Sequence, residues 1–291
     1  MSSAGLLLWA IGLVLGWRWD RMPGTLALRS GEYFVVAADF HVHSFPGDGT
    51  LPPWDLAHEA RRRGLDAIAL TNHNQMLSSR VATLMPEAAR DVLLLPGEEL
   101  TTARYHLALV GISQPVDWRL PLTAATDAVH RQGGAAIIAH PVRDFWPALD
   151  ASAIDAVDAV EVAHPIMFNP RYREELAAFY ARAIVEHPGI APIGSSDFHQ
   201  LADVGQCRTY AFVTSRTVSG VVDAVRNHRT VACDAAGRTY GEPRLAAVVA
   251  AQCSAQARWR PGAGAANLAS LVLTLTGVAA LAFGTRPVSG A

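Results

Sequence analysis

Two histidines separated by one residue, His41 and His43, end an apolar run of β-branched and aromatic residues at positions 33–38. The run predicts a buried strand, and the proline and glycines at positions 46–49 predict a turn after it. Side chains two residues apart on a strand project to the same face, so both imidazoles would point at one spot. Converging imidazoles are typical of a site for a divalent transition metal.

Side chains that can bind a metal also follow other predicted strands. Apolar runs at residues 65–71, 92–95, 135–139 and 190–194 predict short buried strands. The residues that come just past them are His73, Glu99, His140, Asp197 and His199. Ligands in α/β folds bind at the carboxyl ends of strands, so this shared placement predicts one common site. Asp48 in the first turn and His106 in a further strand complete the candidate set.

The nine candidates comprise six imidazoles and three carboxylates, without a thiolate. A catalytic zinc takes about three protein ligands and keeps one position open for water. The supply of ligands therefore predicts two or three divalent ions. Nitrogen and oxygen ligands without sulfur suit Zn, Mn or Fe, and they argue against Ca or an iron–sulfur cluster.

Helical segments alternate with the strands in the middle of the chain. Further strands are predicted at residues 106–110, 159–162 and 210–213, and helices at 52–63, 78–91, 123–132, 170–186 and 218–227. Short apolar strands that alternate with helices predict an α/β fold with a largely parallel sheet covered by helices. A chain of 291 residues can form one large α/β domain or two small ones.

Charge and cysteine content limit the possible partners and cross-links. The net charge of -2 gives no electrostatic case for a stable nucleic-acid complex. Cys207, Cys233 and Cys253 are odd in number and include no Cys-x-x-Cys pair. The sequence therefore predicts ordinary thiols rather than a disulfide framework or a zinc knuckle.

Both ends of the chain are apolar. Residues 1–17 and 261–285 carry no charged side chain, and a membrane-spanning helix needs about 20 apolar residues. We therefore expect transmembrane helices at residues 1–17 and 264–284, the second preceded by a juxtamembrane linker at 241–263. The alternatives are a cleaved signal peptide for the first segment and a buried core helix for the second.

Basic residues next to these segments predict an orientation. Arg18 and Arg21 follow the first segment, and Arg258 and Arg260 precede the second. By the positive-inside rule, the membrane-anchored central region would face the cytoplasm. If the first segment is instead a signal sequence, the central region would be exported.

Five motifs carry a resemblance to a known family. They are Asp39-Phe40-His41-Val42-His43-Ser44 with Asp48-Gly49-Thr50, Thr71-Asn72-His73-Asn74, Pro96-Gly97-Glu98-Glu99, Ala139-His140-Pro141, and Gly194-Ser195-Ser196-Asp197-Phe198-His199. In these motifs and in their order the chain resembles the PHP (polymerase and histidinol phosphatase) family. The resemblance covers residues 33–240 and implies a distorted, seven-stranded TIM-like (β/α)7 barrel. It also implies a trinuclear metal site that hydrolyses phosphate esters.

The resemblance further implies how the ligands are shared among three metal positions. His41, His43, Glu99 and Asp197 would form the first position, and Glu99 would bridge to a second one with His106 and His140. Asp48, His73 and His199 would form the third. The chain departs from the family pattern at Asn72, where the family usually has Asp. Glu98 beside Glu99 leaves the bridging residue ambiguous by one position, and the spacing after Pro-Gly favours Glu99.

Other polar residues near the motifs are candidates for substrate binding or proton transfer. Arg104, Arg143 and Arg208 stand in loops beside motifs and could grip a phosphate. Glu161 lies at the end of the strand predicted at residues 159–162 and His164 follows that strand, and whether they line the pocket stays open. Asp197 and His199 are the candidate proton carriers, although metal binding competes for the same lone pairs.

The expected activity is metal-assisted hydrolysis of a phosphomonoester, a nucleotide or a short oligonucleotide, in which a hydroxide that bridges two metals is the nucleophile. Two alternatives stay open. One is a membrane-tethered sensor that binds a metal or a phospholigand without turnover. The other is a hydrolase that acts on a bond other than a phosphate ester.

Overall fold

The computed structural model of the chain describes residues 3–19, 22, 25, 28–85, 92–200, 202–258 and 265–283. Among these described residues, one compact unit lies within residues 23–257 and the other within residues 1–22 and 258–291. The larger unit contains all of the strands among the described residues.

The larger unit is a mixed α/β, nearly closed barrel. Its strands are β1 (Arg29–Ser30), β2 (Tyr33–Val42), β3 (Ala67–Leu70), β4 (Leu93–Thr101), β5 (His106–Val110), β6 (Ala135–Ile138), β7 (Ala159–Ala163), β8 (Ala191–Gly194), β9 (Arg208–Val213), β10 (Thr230–Cys233) and β11 (Thr239–Gly241). Its helices are α2 (Pro53–Arg62), α3 (Leu77–Thr83), α4 (Leu122–Arg131), α5 (Ala151–Ala156), α6 (Pro170–Glu186), α7 (Val218–Arg226) and α8 (Pro243–Arg258). Helices α1 (Ser3–Trp19) and α9 (Ala265–Phe283) belong to the smaller unit.

The strand order in the sheet is β11-β10-β9-β2-β3-β4-β5-β6-β7-β8, with β1 paired to β2. The pairs β2–β3, β3–β4, β6–β7 and β7–β8 are parallel, and the other pairs are antiparallel. The prediction of a largely parallel, seven-stranded sheet is therefore wrong, because antiparallel pairs outnumber parallel ones in this sheet. The nearly closed barrel does fit the expected TIM-like PHP fold. Residues 102–105 are too short for a crossover helix, so β5 returns antiparallel to β4.

Both faces of the central strand β2 are buried. Val36 and Phe40 pack into one apolar cluster, whereas Val35 and Ala37 pack into another that includes Leu56 of α2. A strand covered on both sides reads as a continuous apolar run rather than an alternating one. This explains why the sequence shows the strand clearly but not the direction of its neighbours.

Side-chain hydrogen bonds join the two ends of the sheet. Thr209 of β9 donates from Oγ1 to Gly194 O and accepts from Gly194 N, both at 2.9 Å. Thr230 of β10 donates to Pro192 O of β8 at 3.0 Å. These bonds satisfy the backbone of β8 where the regular ladder stops, and they bring β8 next to β9 and β10.

Helix α8 occupies part of the segment predicted as a juxtamembrane linker. Val249 and Cys253 of this helix are buried in the core beneath the sheet. Cys253 forms a disulfide with Cys233 of β10, so the prediction of three ordinary thiols is wrong. Cys207 is a buried free cysteine. Linker residues 259–263 lie outside the described residues.

Helices α1 and α9 pack against each other in the smaller unit. Small residues form the contact, because a Cβ on Gly12 would lie 2.4 Å from Thr274 Oγ1. Ser270 also donates a hydrogen bond to Gly12 O at 2.5 Å. Among the described residues, no helix combines the length and the apolar character that crossing a membrane requires. The predicted transmembrane helices, and the membrane-anchored location that depended on them, are therefore wrong; residues 1, 2, 264 and 284 of those segments lie outside the described residues.

Candidate metal centre

The nine predicted ligands lie at one edge of the barrel. Strands β2, β3 and β4 run parallel, as do β6, β7 and β8, so each group of strands ends at a common edge. Strand β5 is antiparallel to both of its neighbours, and its first residue His106 pairs with Thr101 at the end of β4. A ligand at the start of an antiparallel strand thus reaches the same edge as ligands at the ends of parallel ones.

Four ligand atoms form the most buried cluster. His41 Nε2 lies 3.1 Å from His43 Nε2, 3.5 Å from Glu99 Oε2 and 3.2 Å from Asp197 Oδ1. His43 Nε2 lies 3.4 Å from Glu99 Oε2 and 3.2 Å from Asp197 Oδ1. Each carboxylate oxygen thus lies 3.2–3.5 Å from the same two imidazole nitrogens, a spacing at which one divalent ion can bind both imidazoles and a carboxylate.

The two carboxylates of this cluster each have an oxygen without a hydrogen bond. Glu99 Oε2 and Asp197 Oδ1 are buried and have no hydrogen-bond partner. His73 Nδ1 lies 2.6 Å from Glu99 Oε2, but this nitrogen is hydrogen-bonded to Thr101 Oγ1 at 2.6 Å. Leaving a buried charged oxygen unpaired is costly. A cation at the centre of the cluster would compensate both oxygens, so the residues present fit a metal.

The pKa shifts in the cluster also indicate a site that stabilises a positive charge. Burial opposes the charge of Asp197, but the neighbouring imidazoles, His41 above all, hold its pKa well below the usual range. Burial also opposes protonation of His43, yet the neighbouring Asp197 and Glu99 carboxylates raise its pKa to about 9. A bound cation would replace these imidazole protons as the positive charge.

Glu99 extends the first cluster to a second one. Its other oxygen, Oε1, lies 2.8 Å from His106 Nδ1 and 3.1 Å from His140 Nε2. Burial opposes the charge of Glu99, but His41, His106 and His140 lower its pKa well below the usual value. Glu99 is thus an ionised carboxylate with one oxygen in each cluster, as expected of a bridging ligand.

A third cluster surrounds Asp48 at the open side of the site. Asp48 Oδ2 lies 3.2 Å from His73 Nε2 and 3.1 Å from His199 Nε2. Asp48 Oδ1 lies 3.0 Å from His43 Nδ1, so the His43 ring connects the third cluster to the first. The Asp48 side chain is 43% exposed, whereas His41, His43 and Glu99 are fully buried. The third cluster is therefore the part of the site that solvent reaches.

Glu161, left open by the sequence, lies directly behind the first cluster. Its Oε1 accepts from His41 Nδ1 at 3.0 Å and from the Ser195 hydroxyl, and its Oε2 accepts from His140 N at 2.6 Å. Burial opposes its charge, but the imidazoles led by His41 lower the pKa of Glu161 to about 2. Because an ionised carboxylate only accepts, His41 must carry its proton on Nδ1, which leaves Nε2 free to bind a metal.

Glu98 and Glu99 point to different environments. Glu98 Oε1 accepts a hydrogen bond from Val116 N at 2.6 Å, outside the ligand clusters. Burial raises the pKa of Glu98 to about 7. The structure thus brings Glu99, and not Glu98, together with the histidines.

Asn72 supports the loop that carries Asp48. Its Oδ1 accepts from Ser44 N at 3.0 Å and from Ser44 Oγ at 3.2 Å, and its Nδ2 donates to Ser44 O at 2.6 Å and to Pro46 O at 3.3 Å. A Cβ on Gly47 would lie 1.6 Å from Asn72 Nδ2, so the loop packs directly on the amide. The amide both donates and accepts here, which an ionised carboxylate cannot do.

The three arginines predicted to bind substrate have different surroundings. Arg208 is buried and donates to Gly205 O at 3.0 Å and to Arg63 O at 2.9 Å, so its guanidinium is held by backbone carbonyls. Arg104 is exposed in the hairpin after β4, and Arg143 is exposed with its guanidinium 5.2 Å from the Trp146 ring. The structure does not bring Arg208 to the metal centre, whereas Arg104 and Arg143 stay predictions.

The remaining histidines include one that the sequence left open. His164 follows β7, is almost fully buried, and has its ring centroid 5.3 Å from that of His140. Four other histidines belong to none of the ligand groups among the described residues: His58, His130, His187 and His228. His130, for example, pairs with Asp158 at 2.9 Å.

Comparison with known proteins agrees with this architecture. A family model described as PHP-associated matches residues 176–230. A two-domain protein from Bacteroides vulgatus that contains a predicted PHP-like metal-dependent phosphoesterase matches with a TM-score of 0.61 and 24% identity, over 78% of this chain and 73% of that chain. PsfC from Pseudomonas syringae matches with a TM-score of 0.50 and 17% identity, over 82% of this chain and 99% of that chain. At these identities the structural likeness shows a shared fold. No curated protein matches the chain significantly.

Proposed function

We propose that this chain is a metal-dependent hydrolase of phosphate esters. Its resemblance to the PHP family is confirmed by the PHP-associated match and by its structural neighbours. The proposal covers phosphomonoesters, nucleotides and short oligonucleotides as substrates. It draws on the Bacteroides vulgatus neighbour, which contains a predicted metal-dependent phosphoesterase.

The observation that carries the proposal is the arrangement around His41, His43, Glu99 and Asp197. Each carboxylate oxygen lies within 3.5 Å of the same two imidazole nitrogens, and both oxygens are buried without hydrogen bonds. Glu99 continues the arrangement into a second cluster. Paired metal positions that share a carboxylate are typical of enzymes that hydrolyse phosphate esters.

The ligands differ in burial, and this difference suggests which metal position each of them would form. The fully buried His41, His43 and Glu99 would hold the innermost ions, and the half-exposed Asp48 would hold a third with His73 and His199. Divalent ions in these positions would supply Lewis-acid stabilisation of the phosphoryl oxygens and activation of water at neutral pH. Substrate would enter at the open side, because Asp48, His73 and His199 are the ligands that solvent reaches there.

We assign proton transfer to the leaving oxygen to His199 in a form of the site whose third position is empty, because its Nε2 cannot bind an ion and carry a proton at the same time. Asp197 stays ionised, because its pKa is held well below the usual range, so it favours the ligand role over proton donation. His199 is 32% exposed, and its Nε2 lies 3.1 Å from Asp48 Oδ2, which orients the ring at the mouth of the site. A partly exposed imidazole can exchange protons with both solvent and substrate.

The test measures release of p-nitrophenol by the full chain from p-nitrophenyl phosphate and from bis-p-nitrophenyl phosphate, with added Mn²⁺ or Zn²⁺. We expect hydrolysis that depends on the metal, is abolished by a chelator and is lost in His43→Ala. The ratio of the two rates separates monoesterase from diesterase activity.

His130→Ala is the matched control, because it removes a partly buried histidine that pairs with Asp158 outside the clusters. It should keep wild-type turnover. Hydrolysis that chelators do not affect would contradict the metal mechanism. Tight metal binding with no turnover of either ester would favour a sensor over an enzyme.

A further inference from the structure

His164 leads from β7 into a short 3₁₀ helix at Pro165–Phe168. Its Nδ1 accepts a hydrogen bond from Ile166 N at 3.1 Å, which caps this helix. An Nδ1 that accepts a hydrogen bond carries no proton, so the neutral ring carries its proton on Nε2. The other ring nitrogen is therefore a donor and has no lone pair to offer a metal.

The Nε2 atom of His164 is buried and has no hydrogen-bond partner. The side chain is only 5% exposed. Two carboxylate oxygens lie nearest, Asp197 Oδ2 at 3.5 Å and Glu161 Oε2 at 3.9 Å. A buried donor that faces two carboxylates calls for an acceptor among them.

Glu161 is already engaged. Its Oε2 accepts from His140 N, and its Oε1 accepts from His41 and Ser195. Asp197 Oδ2 is thus the nearer acceptor for the His164 donor, since both oxygens of Glu161 already accept other hydrogen bonds. The 3.5 Å separation lies just beyond the N–H···O range of about 2.7–3.2 Å, and a small rotation of the carboxylate closes it.

We infer that His164 is a positioning residue for the metal centre: its Nε2–H holds Asp197 Oδ2, which keeps Asp197 Oδ1 turned toward His41 and His43. Asp197 has a left-handed backbone with φ of 47°, and its side chain sits between the first cluster and His164. Fixing one oxygen of a ligating carboxylate orients the other and strengthens metal binding. The inference rests on the metal centre of the proposed function, but not on which bond is hydrolysed.

The test compares His164→Ala with His164→Gln in the full chain. Affinity for Zn²⁺ is measured by competition with a chelating dye, and the geometry of the site is read from the visible absorption bands of bound Co²⁺. We expect His164→Ala to bind Zn²⁺ about 10- to 100-fold more weakly and to shift the Co²⁺ bands. His164→Gln keeps an N–H donor and should recover part of the affinity and the wild-type bands.

His130→Ala serves as the matched control, because His130 pairs with Asp158 as His164 does with Asp197, but away from the ligand clusters. It should bind Zn²⁺ like the wild type. Equal Zn²⁺ affinity in wild type and His164→Ala, or a Gln variant no better than the Ala variant, would overturn the inference. Because both readouts are independent of turnover, an enzyme inactive on phosphate esters would count against the proposed function alone.

Discussion

Replacing Asn72 by Asp introduces the residue that the PHP family usually has at this position, yet we expect it to destabilise this chain. Asn72 is almost fully buried and donates from Nδ2 to Ser44 O at 2.6 Å and to Pro46 O at 3.3 Å. An ionised Asp would instead place an oxygen against two carbonyl oxygens. The hydrogen bonds that Ser44 donates to Oδ1 would remain.

The size of the effect follows from these contacts. Two lost hydrogen bonds cost about 1 kcal/mol each, and a buried carboxylate that faces a carbonyl adds about another 1 kcal/mol. We therefore expect Asn72→Asp to lower the free energy of unfolding by about 3 kcal/mol when the carboxyl is ionised. A protonated carboxyl could donate to Ser44 O, which reduces the loss to about 1 kcal/mol.

The two protonation states make the loss depend on pH. The same contacts raise the folded-state pKa of the new carboxyl above the unfolded value of about 3.9. Between these two values the folded state holds a proton that the unfolded state releases, so stability falls as pH rises through that window. Urea unfolding of the metal-free variant at pH 4 and at pH 8, followed by tryptophan fluorescence, measures the difference.

Asn227→Asp makes the same chemical change at an exposed position, where the amide donates to Asp223. It should cost less than about 1 kcal/mol at either pH, since solvent screens the new charge. If Asn72→Asp at pH 8 unfolds within about 0.5 kcal/mol of the wild type, the role given to the Asn72 amide is refuted.

Two further predictions concern buried carboxylates. Glu161→Gln must turn its NH₂ group toward the His140 N–H or toward the His41 and Ser195 donors, so we expect about 10- to 100-fold weaker Zn²⁺ binding in a dye competition. Wild-type affinity in that variant would argue against the orienting role of Glu161. The pKa of Glu98 is raised by burial from 4.5 to about 7, so wild-type stability should fall as pH rises through this window. Glu98→Gln should lack this fall, and its free energy of unfolding should exceed that of the wild type by at most about 3 kcal/mol at pH 8. If urea unfolding gives the same difference in free energy between the two proteins at pH 5 and at pH 8, this prediction is contradicted.

The convergence of the ligands could be predicted from the sequence because it follows from strand ends. Parallel strands end at one edge of a sheet, so His73, His140 and Asp197 had to lie near the His-x-His pair. The motifs around them carried the same information independently. His106 also lies at this edge, but it does so because β5 is antiparallel, which the apolar pattern of a doubly covered strand does not reveal.

The roles of isolated residues could not be predicted in the same way. Glu161 and His164 belong to no motif, and their function depends on distant partners such as His41 and Asp197. Their position at the end of β7 predicts that they lie near the edge of the barrel that holds the ligands. It does not predict which residues they contact. The guanidinium of Arg208 donates to Arg63 O, 145 residues away in the chain, and no local pattern in the sequence indicates this contact.

The pairing of the cysteines also depends on packing between segments that are distant in the sequence. The disulfide between Cys233 and Cys253 requires helix α8 to fold back on β10, and nothing in the spacing of 20 residues indicates this. Apolar composition alone was likewise insufficient at the chain ends, where it predicted spans that the described helices do not satisfy. In both cases composition described the side chains but not what they pack against.

Anomalous diffraction from crystals grown with Mn²⁺ or Zn²⁺, recorded at the absorption edge of the metal, shows whether the buried clusters bind metal ions. We predict strong peaks between His41, His43, Glu99 and Asp197, and between Glu99, His106 and His140, that disappear in His43→Ala crystals at the first position. Crystals that contain the metal at other positions but show no anomalous peak at these two clusters would contradict metal binding by these residues.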